Sequence, residues 1–276
     1  MSQPALSLAG RDSIELPDVQ AETPAIPMVV DEAGIAGLRY PITVQLADGN
    51  SQGTVGSMSF AASVPADIRG VHMSRFVETL HNWHKRIGVH TLSALLAELA
   101  DHLQAQAVVA ELEFPLFLER TGPVSGGGAL VAYDCSLKGH LDSRGSACTL
   151  MTRVPITSLC PCSREISDYG AHNQRGSIET SVCFELIDAV RPLDFSDLIA
   201  AGEEAGSAPI YSLLKRTDER YVTMQAYENP AFVEDIARAV AAVLKSDSRI
   251  RKGRVRVVNE ESIHAHNAYA AIEWTR

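Results

Sequence analysis

The stretch Arg153-Val154-Pro155-Ile156-Thr157, followed after a gap by Gly176-Ser177-Ile178, organises this chain because it occurs twice. The earlier copy reads Arg39-Tyr40-Pro41-Ile42-Thr43 and then Gly56-Ser57-Met58. Thr43 to Gly56 is 13 steps and Thr157 to Gly176 is 19, so the later copy carries six extra residues between its anchors. They fall inside Thr157 to Arg175, TSLCPCSREISDYGAHNQR. That segment holds a thiol pair (Cys160, Cys162), two carboxylates (Glu165, Asp168), His172 and an amide pair (Asn173, Gln174). Pro161 between the cysteines, Gly170 and the lack of any hydrophobic period read as a long loop, where functional groups gather. One copy reads as scaffold and the other as the working copy.

Working outward, each copy shows the same order of elements. In the first, Leu38–Leu46 and Val55–Val64 favour strands joined at Asp48-Gly49-Asn50. Met73, Phe76, Val77, Leu80 and Trp83 then mark one helical face, with Ser74 as a cap, and a second helix opens at Thr91 with Leu92, Leu95, Leu96, Leu99 and Leu103 inward. Alternation returns in Val108, Ala110, Leu112, Phe114, Leu116 and Leu118, and after Gly126–Gly128 in Ala129, Val131, Tyr133, Cys135 and Leu137. Pro115 on the opposite face suggests an edge or a bulge. The second copy repeats the order. Its strands run through Cys148–Ile156 and Ile178–Leu186, a short helix surrounds Phe195, Leu198 and Ile199, and a better one is opened by Asn229-Pro230. Val255 and Val257, then Ala268, Ala270, Ile272 and Trp274, supply the last strands. The division expected is a mobile tail (1–33), a first module (34–143) and a second module with the elaborated loop (144–276).

Composition narrows the function. The chain has 276 residues, 46% hydrophobic and 21% charged, an ordinary globular balance. Apolar runs such as Ile236–Leu244, interrupted by Arg238, are too short to span a bilayer. The formal net charge of -10 argues against a nucleic-acid binder, which needs a basic footprint. With no secretory signal and five cysteines, an odd number, reduced thiols in a cytoplasm are expected.

Cys160 and His172 together supply a soft thiolate and an imidazole, a pair that suits zinc or a similar divalent metal. Two ligands do not make a site. Further donors are available in Asn259-Glu260-Glu261-Ser262-Ile263-His264-Ala265-His266, at the turn between the last strands, and in Lys215-Arg216-Thr217-Asp218-Glu219-Arg220, where basic residues suited to phosphates adjoin acids. Each group alone has an ordinary structural explanation: buried thiols, a hydrogen-bonded loop histidine, a solvated charge run. What favours chemistry is that all fall in connections of one copy.

These residues resemble the type IB GTP cyclohydrolase I family. The resemblance runs through Val154–Ser163 and Tyr169–Arg175, His72–Phe76, Leu214–Arg216 with Asp218-Glu219, Tyr227–Pro230 with Phe232–Asp235, and Glu261 with His264 and His266. Thr217 stands where the family pattern has a proline. The resemblance implies an α+β fold of tandem tunnelling-fold (T-fold) modules, each an antiparallel ββααββ unit. It further implies assembly into barrels as a homotetramer, with sites at subunit interfaces. It implies a divalent metal, zinc or manganese, on Cys160, His172 and Glu219, with Cys160, Glu261, His264 and His266 as catalytic groups. GTP would be the substrate, its guanine edge held by Glu234 or by the competing Glu228, and its triphosphate by Lys215, Arg216 and Arg75 of a neighbouring chain. The product would be 7,8-dihydroneopterin triphosphate. Two alternatives stay open on the residues alone: a nitrile reductase with Cys160 as nucleophile, and a non-catalytic, metal-stabilised assembly protein.

Overall fold

A computed structural model describes residues 17–186 and 193–276. Much of the expected tail, residues 1–16, lies outside the described residues. The rest of it holds a single 3-10 turn at Val19–Ala21, with Asp18 accepting the Ala21 amide, and the start of the first strand.

The first half contains β1 (Val30–Gln45), β2 (Ser51–Val64), α1 (Met73–Trp83), α2 (Val89–Leu103), β3 (Val108–Thr121) and β4 (Gly128–Asp142). The second contains β5 (Gly145–Leu159), α3 (Pro161–Ile166), β6 (Asn173–Glu185), α4 (Phe195–Ala205), β7 (Ala208–Pro209), α5 (Arg216–Glu228), α6 (Val233–Ser246), β8 (Lys252–Asn259) and β9 (Ala268–Thr275). Alternation sets the strands, because only one face of the sheet is covered. Val108, Ala110, Leu112 and Phe114 of β3 are buried, as are Cys148, Leu150, Val154 and Ile156 of β5 and Val255 and Val257 of β8. Against that face lie Phe76, Leu80 and Trp83 of α1, the leucines of α2, Leu198 and Ile199 of α4, and Ile236 and Val240 of α6, in one continuous core. The other face mixes exposed apolar side chains such as Phe117, Leu130 and Tyr269 with cross-strand ion pairs, Lys138 to Glu111, Arg153 to Glu179 and Arg254 to Glu273, each at 3.1 Å.

The sheet corrects the expected fold class. Tandem modules with their own sheets, assembling into barrels, are not what forms: β4 pairs with β5 from Asp134↔Arg153 to Asp142↔Gly145, so both halves share one sheet. Its order is β1-β2-β3-β4-β5-β6-β8-β9, with the short β7 beside β5. The nine strands among the described residues make a mostly antiparallel, open sheet whose outer strands are β1 and β9.

Several local readings are also revised. Pro115 lies in an inner strand, without a bulge, but at a locally open edge: the β2–β3 ladder ends at Ser57↔Glu113, so no partner strand awaits an amide at 115. Side chains of β2 take over there, Thr54 Oγ1 donating to the Pro115 carbonyl at 3.0 Å and Gln52 accepting the Phe117 amide at 2.9 Å. α1 starts one residue before Ser74, and α6 starts at Val233, after Asn229-Pro230, with the Asp235 carboxylate reaching back to the Phe232 amide at 3.4 Å. The loop after Cys160 contains the single turn and a half of α3. α5 is a helix over a stretch without an apolar stripe.

Candidate active site

The inward rows of β5, β6 and β8 end in polar residues rather than apolar ones. Ser158, Gln174 and Asn259 are all buried there, and the register sets Ser158 opposite Gln174 and Gly176 opposite Asn259. Gly176 is required by this packing, because a Cβ on it would stand 2.6 Å from Asn259 Oδ1. Ser158 Oγ accepts from Asn259 Nδ2 at 2.7 Å and from Gln174 Nε2 at 3.4 Å, and donates to the Ala231 carbonyl at 3.3 Å.

Immediately beyond this layer come Cys160 and His172. The Cys160 amide donates to the His172 carbonyl at 3.1 Å, continuing the β5–β6 pairing by one step. Cys160 is the N-cap of α3, its Sγ accepting the Ser163 amide at 3.4 Å, while Ser163 Oγ accepts the His172 amide at 3.2 Å. Pro161 suits the first helical position, where no amide partner is needed. Cys162 is exposed within α3, whereas Cys160 is half-buried, so the two thiols occupy different environments. The His172 side chain is only 13% exposed, with Nδ1 2.9 Å from Gln174 Oε1 and 4.0 Å from Glu261 Oε2.

The connection between β8 and β9 passes over the same place. His264 presents its ring edge-on to His172 at 6.4 Å between centroids, and His264 and His266 stack at 5.3 Å. Cys160, His172, Glu261, His264 and His266 are thus assembled by two connections, β5–β6 and β8–β9, at one end of the sheet.

The remaining predicted residues stand apart. Lys215 and Arg216 open α5 and Glu219 lies in its first turn, all three exposed. Glu228 ends α5 and lines a cleft of about 710 Å³ with Glu203, Glu204 and Asn229. Glu234 is exposed in the first turn of α6. Arg75 belongs to α1 in the first half, where it donates to the His102 carbonyl at 3.1 Å. Two linkages tie α5 to its surroundings. Arg164 of α3 lies over the Tyr227 ring at 4.7 Å, and Asp218, fully buried, accepts from Val124, Ser125 and Lys215. Hydrogen bonds, led by that of the Ser125 hydroxyl, hold the Asp218 carboxyl below the usual carboxylate range.

Sequence reasoning gave Ser158, Asn259 and Gln174 no role. The available signal was a polar residue at the end of each inward row, Ser158 after Val154 and Ile156, and Asn259 after Val255 and Val257.

In donor types the site suits a divalent metal, since Cys160 and His172 are paired through their backbones and the Glu261 carboxylate lies 4.0 Å from the imidazole. Among the described residues, however, no three His, Cys, Asp or Glu side chains stand close enough to hold an ion together. Cys160 and His172 are adjacent through their backbones, and Glu219 is not brought to them within the described chain.

The family model for type I GTP cyclohydrolase folE2 matches residues 16–270. The chain belongs to the GTP cyclohydrolase FolE2 family. Among its FolE2 relatives, the GTP cyclohydrolase FolE2 of Syntrophobacter fumaroxidans is 42% identical over 257 residues, covering 93% of this chain and 98% of that one. The FolE2 proteins of Paraburkholderia phymatum and Thermosipho africanus are 44% identical over 260 residues and 41% over 259, covering 94% and 92% of this chain and 94% and 96% of theirs. In fold, the chain is similar to the uricase of Arthrobacter globiformis, with a TM-score of 0.51 over 89% of this chain and 93% of that one at 8% identity. A hyper-thermostable AgUricase mutant gives 0.53, over 90% and 92% at 7% identity. This likeness concerns the fold alone, and it accords with the continuous sheet that replaces the expected modules and barrels.

Proposed function

We propose that this chain is a metal-dependent GTP cyclohydrolase I of the type IB class, converting GTP and water to 7,8-dihydroneopterin triphosphate and formate in folate-type pterin synthesis. The observation that supports this reading most is the meeting of the Cys160–His172 connection with the Glu261–His266 connection at one end of the sheet. The reaction opens the guanine imidazole ring by addition of water at C8, releases C8 as formate, rearranges the ribose and closes a new ring. A neutral purine C8 is a poor electrophile, so an unactivated water does not suffice. A zinc or manganese ion held by Cys160, His172 and Glu219 would supply the Lewis acidity that makes water nucleophilic at neutral pH.

The chain's own residues account for the other requirements. His264 and His266 move protons to and from the opening ring and the departing formate, a role suited to stacked imidazoles in an exposed connection. Glu261 sets its carboxylate beside His172 on the same face. Glu234 accepts two parallel N–H bonds from the guanine edge, N1 and the 2-amino group, and Glu228, at the rim of its cleft, is the competing anchor. Lys215 and Arg216, at the N-terminus of α5, face the triphosphate, where basic groups and free helix amides both favour an anion.

Arg75, remote on α1, and the separation of Glu219 from Cys160 both make sense if the site is completed by another copy of the chain. The unpaired outer strands β1 and β9 favour such association, as do the exposed Met28, Val29 and Tyr269 along or beside them. A homotetramer is the assembly we infer.

Purified protein supplied with GTP and manganese or zinc tests the reading. Neopterin fluorescence after oxidation, together with an equivalent of formate, is expected. Folded, metal-loaded protein that yields neither product contradicts it.

A further inference from the structure

We infer that Gln174 is a positioning residue that fixes the tautomer of His172, and that Ser158 and Asn259 set the orientation of Gln174 for this purpose. The inference rests on the reading of His172 as a metal ligand, and it assigns work to buried groups that reading leaves unused. Hydrogen-bond capacity carries the argument. A serine hydroxyl has one proton to give and two lone pairs to accept with. Ser158 donates to the Ala231 carbonyl at 3.3 Å, so its lone pairs face the Asn259 Nδ2 group at 2.7 Å and Gln174 at 3.4 Å. Only the NH2 end of Gln174 can donate to that hydroxyl. The Gln174 Oε1 atom is thereby turned toward His172 Nδ1, 2.9 Å away.

An amide oxygen only accepts, so the proton on neutral His172 sits on Nδ1 and the lone pair is left on Nε2. Ligating histidines generally hold the ring nitrogen opposite the metal in this way, through an acceptor that fixes tautomer and ring angle together. Here the acceptor is neutral and comes from the second residue of β6. Its orientation is locked by neighbours on β5 and β8, all three side chains being buried. Glu261 Oε2, 4.0 Å from the same nitrogen, lies beyond hydrogen-bonding distance. The amide, not the carboxylate, therefore holds the ring.

The test uses full-length protein with 15N-labelled histidine, the His172 ring signals being assigned by their loss in His172→Gln. Metal-free wild type at pH about 8, where histidine is neutral, is expected to show protonated Nδ1 and unprotonated Nε2. Gln174→Met removes the acceptor with little change in volume and should populate the Nε2–H tautomer. Its zinc affinity, read by competition with a chromogenic chelator, should fall about 10- to 100-fold. Gln174→Glu keeps an acceptor at the same reach and should retain both the wild-type tautomer and zinc affinity within a few-fold. Ser158→Ala frees the amide to turn and should give an intermediate loss, which supplies a second reading if Gln174→Met does not fold. Wild-type His172 protonated on Nε2 would overturn the inference. So would a Gln174→Met protein with wild-type tautomer and zinc affinity. Should wild type bind no zinc at all, the metal reading fails, while the ring signals still decide the tautomer.

Discussion

Asp218 of α5 accepts the backbone amides of Val124 and Ser125, each at 2.8 Å, so a turn in the first half of the chain holds the helix that carries Lys215, Arg216 and Glu219. The Ser125 hydroxyl adds a third bond at 2.6 Å and the Lys215 amide a fourth at 3.0 Å. The contact is close enough to require a glycine opposite, since a Cβ on Gly122 would stand 2.8 Å from the carboxylate. Asp218→Ala leaves these donors without a partner and is expected to lower the melting temperature by several degrees, and GTP turnover with it.

The same carboxylate predicts a pH signature. Its pKa is held down in the folded state, so the stability it contributes is fully present above the unfolded value of about 3.9 and is lost as pH falls through the folded value. The difference in melting temperature between wild type and Asp218→Asn should be constant above pH about 5 and shrink as pH falls below about 4. A difference that grows on acidification contradicts this account of the clamp.

Asp194 is expected to act in the opposite sense. It caps α4 by accepting the Phe195 amide at 2.8 Å and reaches into the first half to accept the Ala47 amide at 2.6 Å, and burial pushes its pKa up. Between the unfolded and folded values the folded state binds more protons, so stability falls as pH rises through that window. Asp194→Asn removes this slope. Its melting temperature relative to wild type should rise as pH increases upward from about 4, whatever the offset caused by losing one acceptor. Parallel curves for the two proteins would show that Asp194 does not titrate differently on folding.

Legibility in the sequence followed the physics of each element. β3, β5 and β8 could be read because a strand covered on one face alternates, and their predicted inward residues are the buried ones except Leu118, which is half-buried. α5 could not be read, because only Asp218 and Ala226 of its 13 residues are buried and no apolar stripe exists. α3 is six residues long, too short for any period to register. The N-terminal part of β1 escaped because an outer strand with both faces wet does not alternate: Val30, Asp31 and Glu32 are all exposed. The merging of both halves into one sheet depends on which strands meet at Asp142↔Gly145, and alternation does not encode partners. At the site, Cys160 and His172 stood out by chemical type. Ser158 and Asn259 did not, since a single polar residue in an apolar row is informative only once its neighbours in space are known.

Metal dependence is the next expectation. Exhaustive chelation should abolish GTP turnover, and zinc or manganese should restore it, if Cys160 and His172 are ligands of an ion as proposed. Full turnover in protein shown by elemental analysis to hold no metal would remove this part of the account.

Metal content measured beside GTP turnover in Cys160→Ser and Cys162→Ser tests the central claim most directly. Cys160 caps α3 half-buried beside His172, while Cys162 is exposed, so exchanging sulfur for a hydroxyl should have unequal effects. Cys160→Ser replaces a soft anionic donor by a weak neutral one, yet serine is itself a good helix cap, so the fold should survive while metal and nearly all turnover are lost. Cys162→Ser should keep most of both. An inactive Cys160→Ser protein at full metal occupancy would instead make the thiol a nucleophile, and an active, metal-replete one would contradict a metal centre at Cys160 altogether.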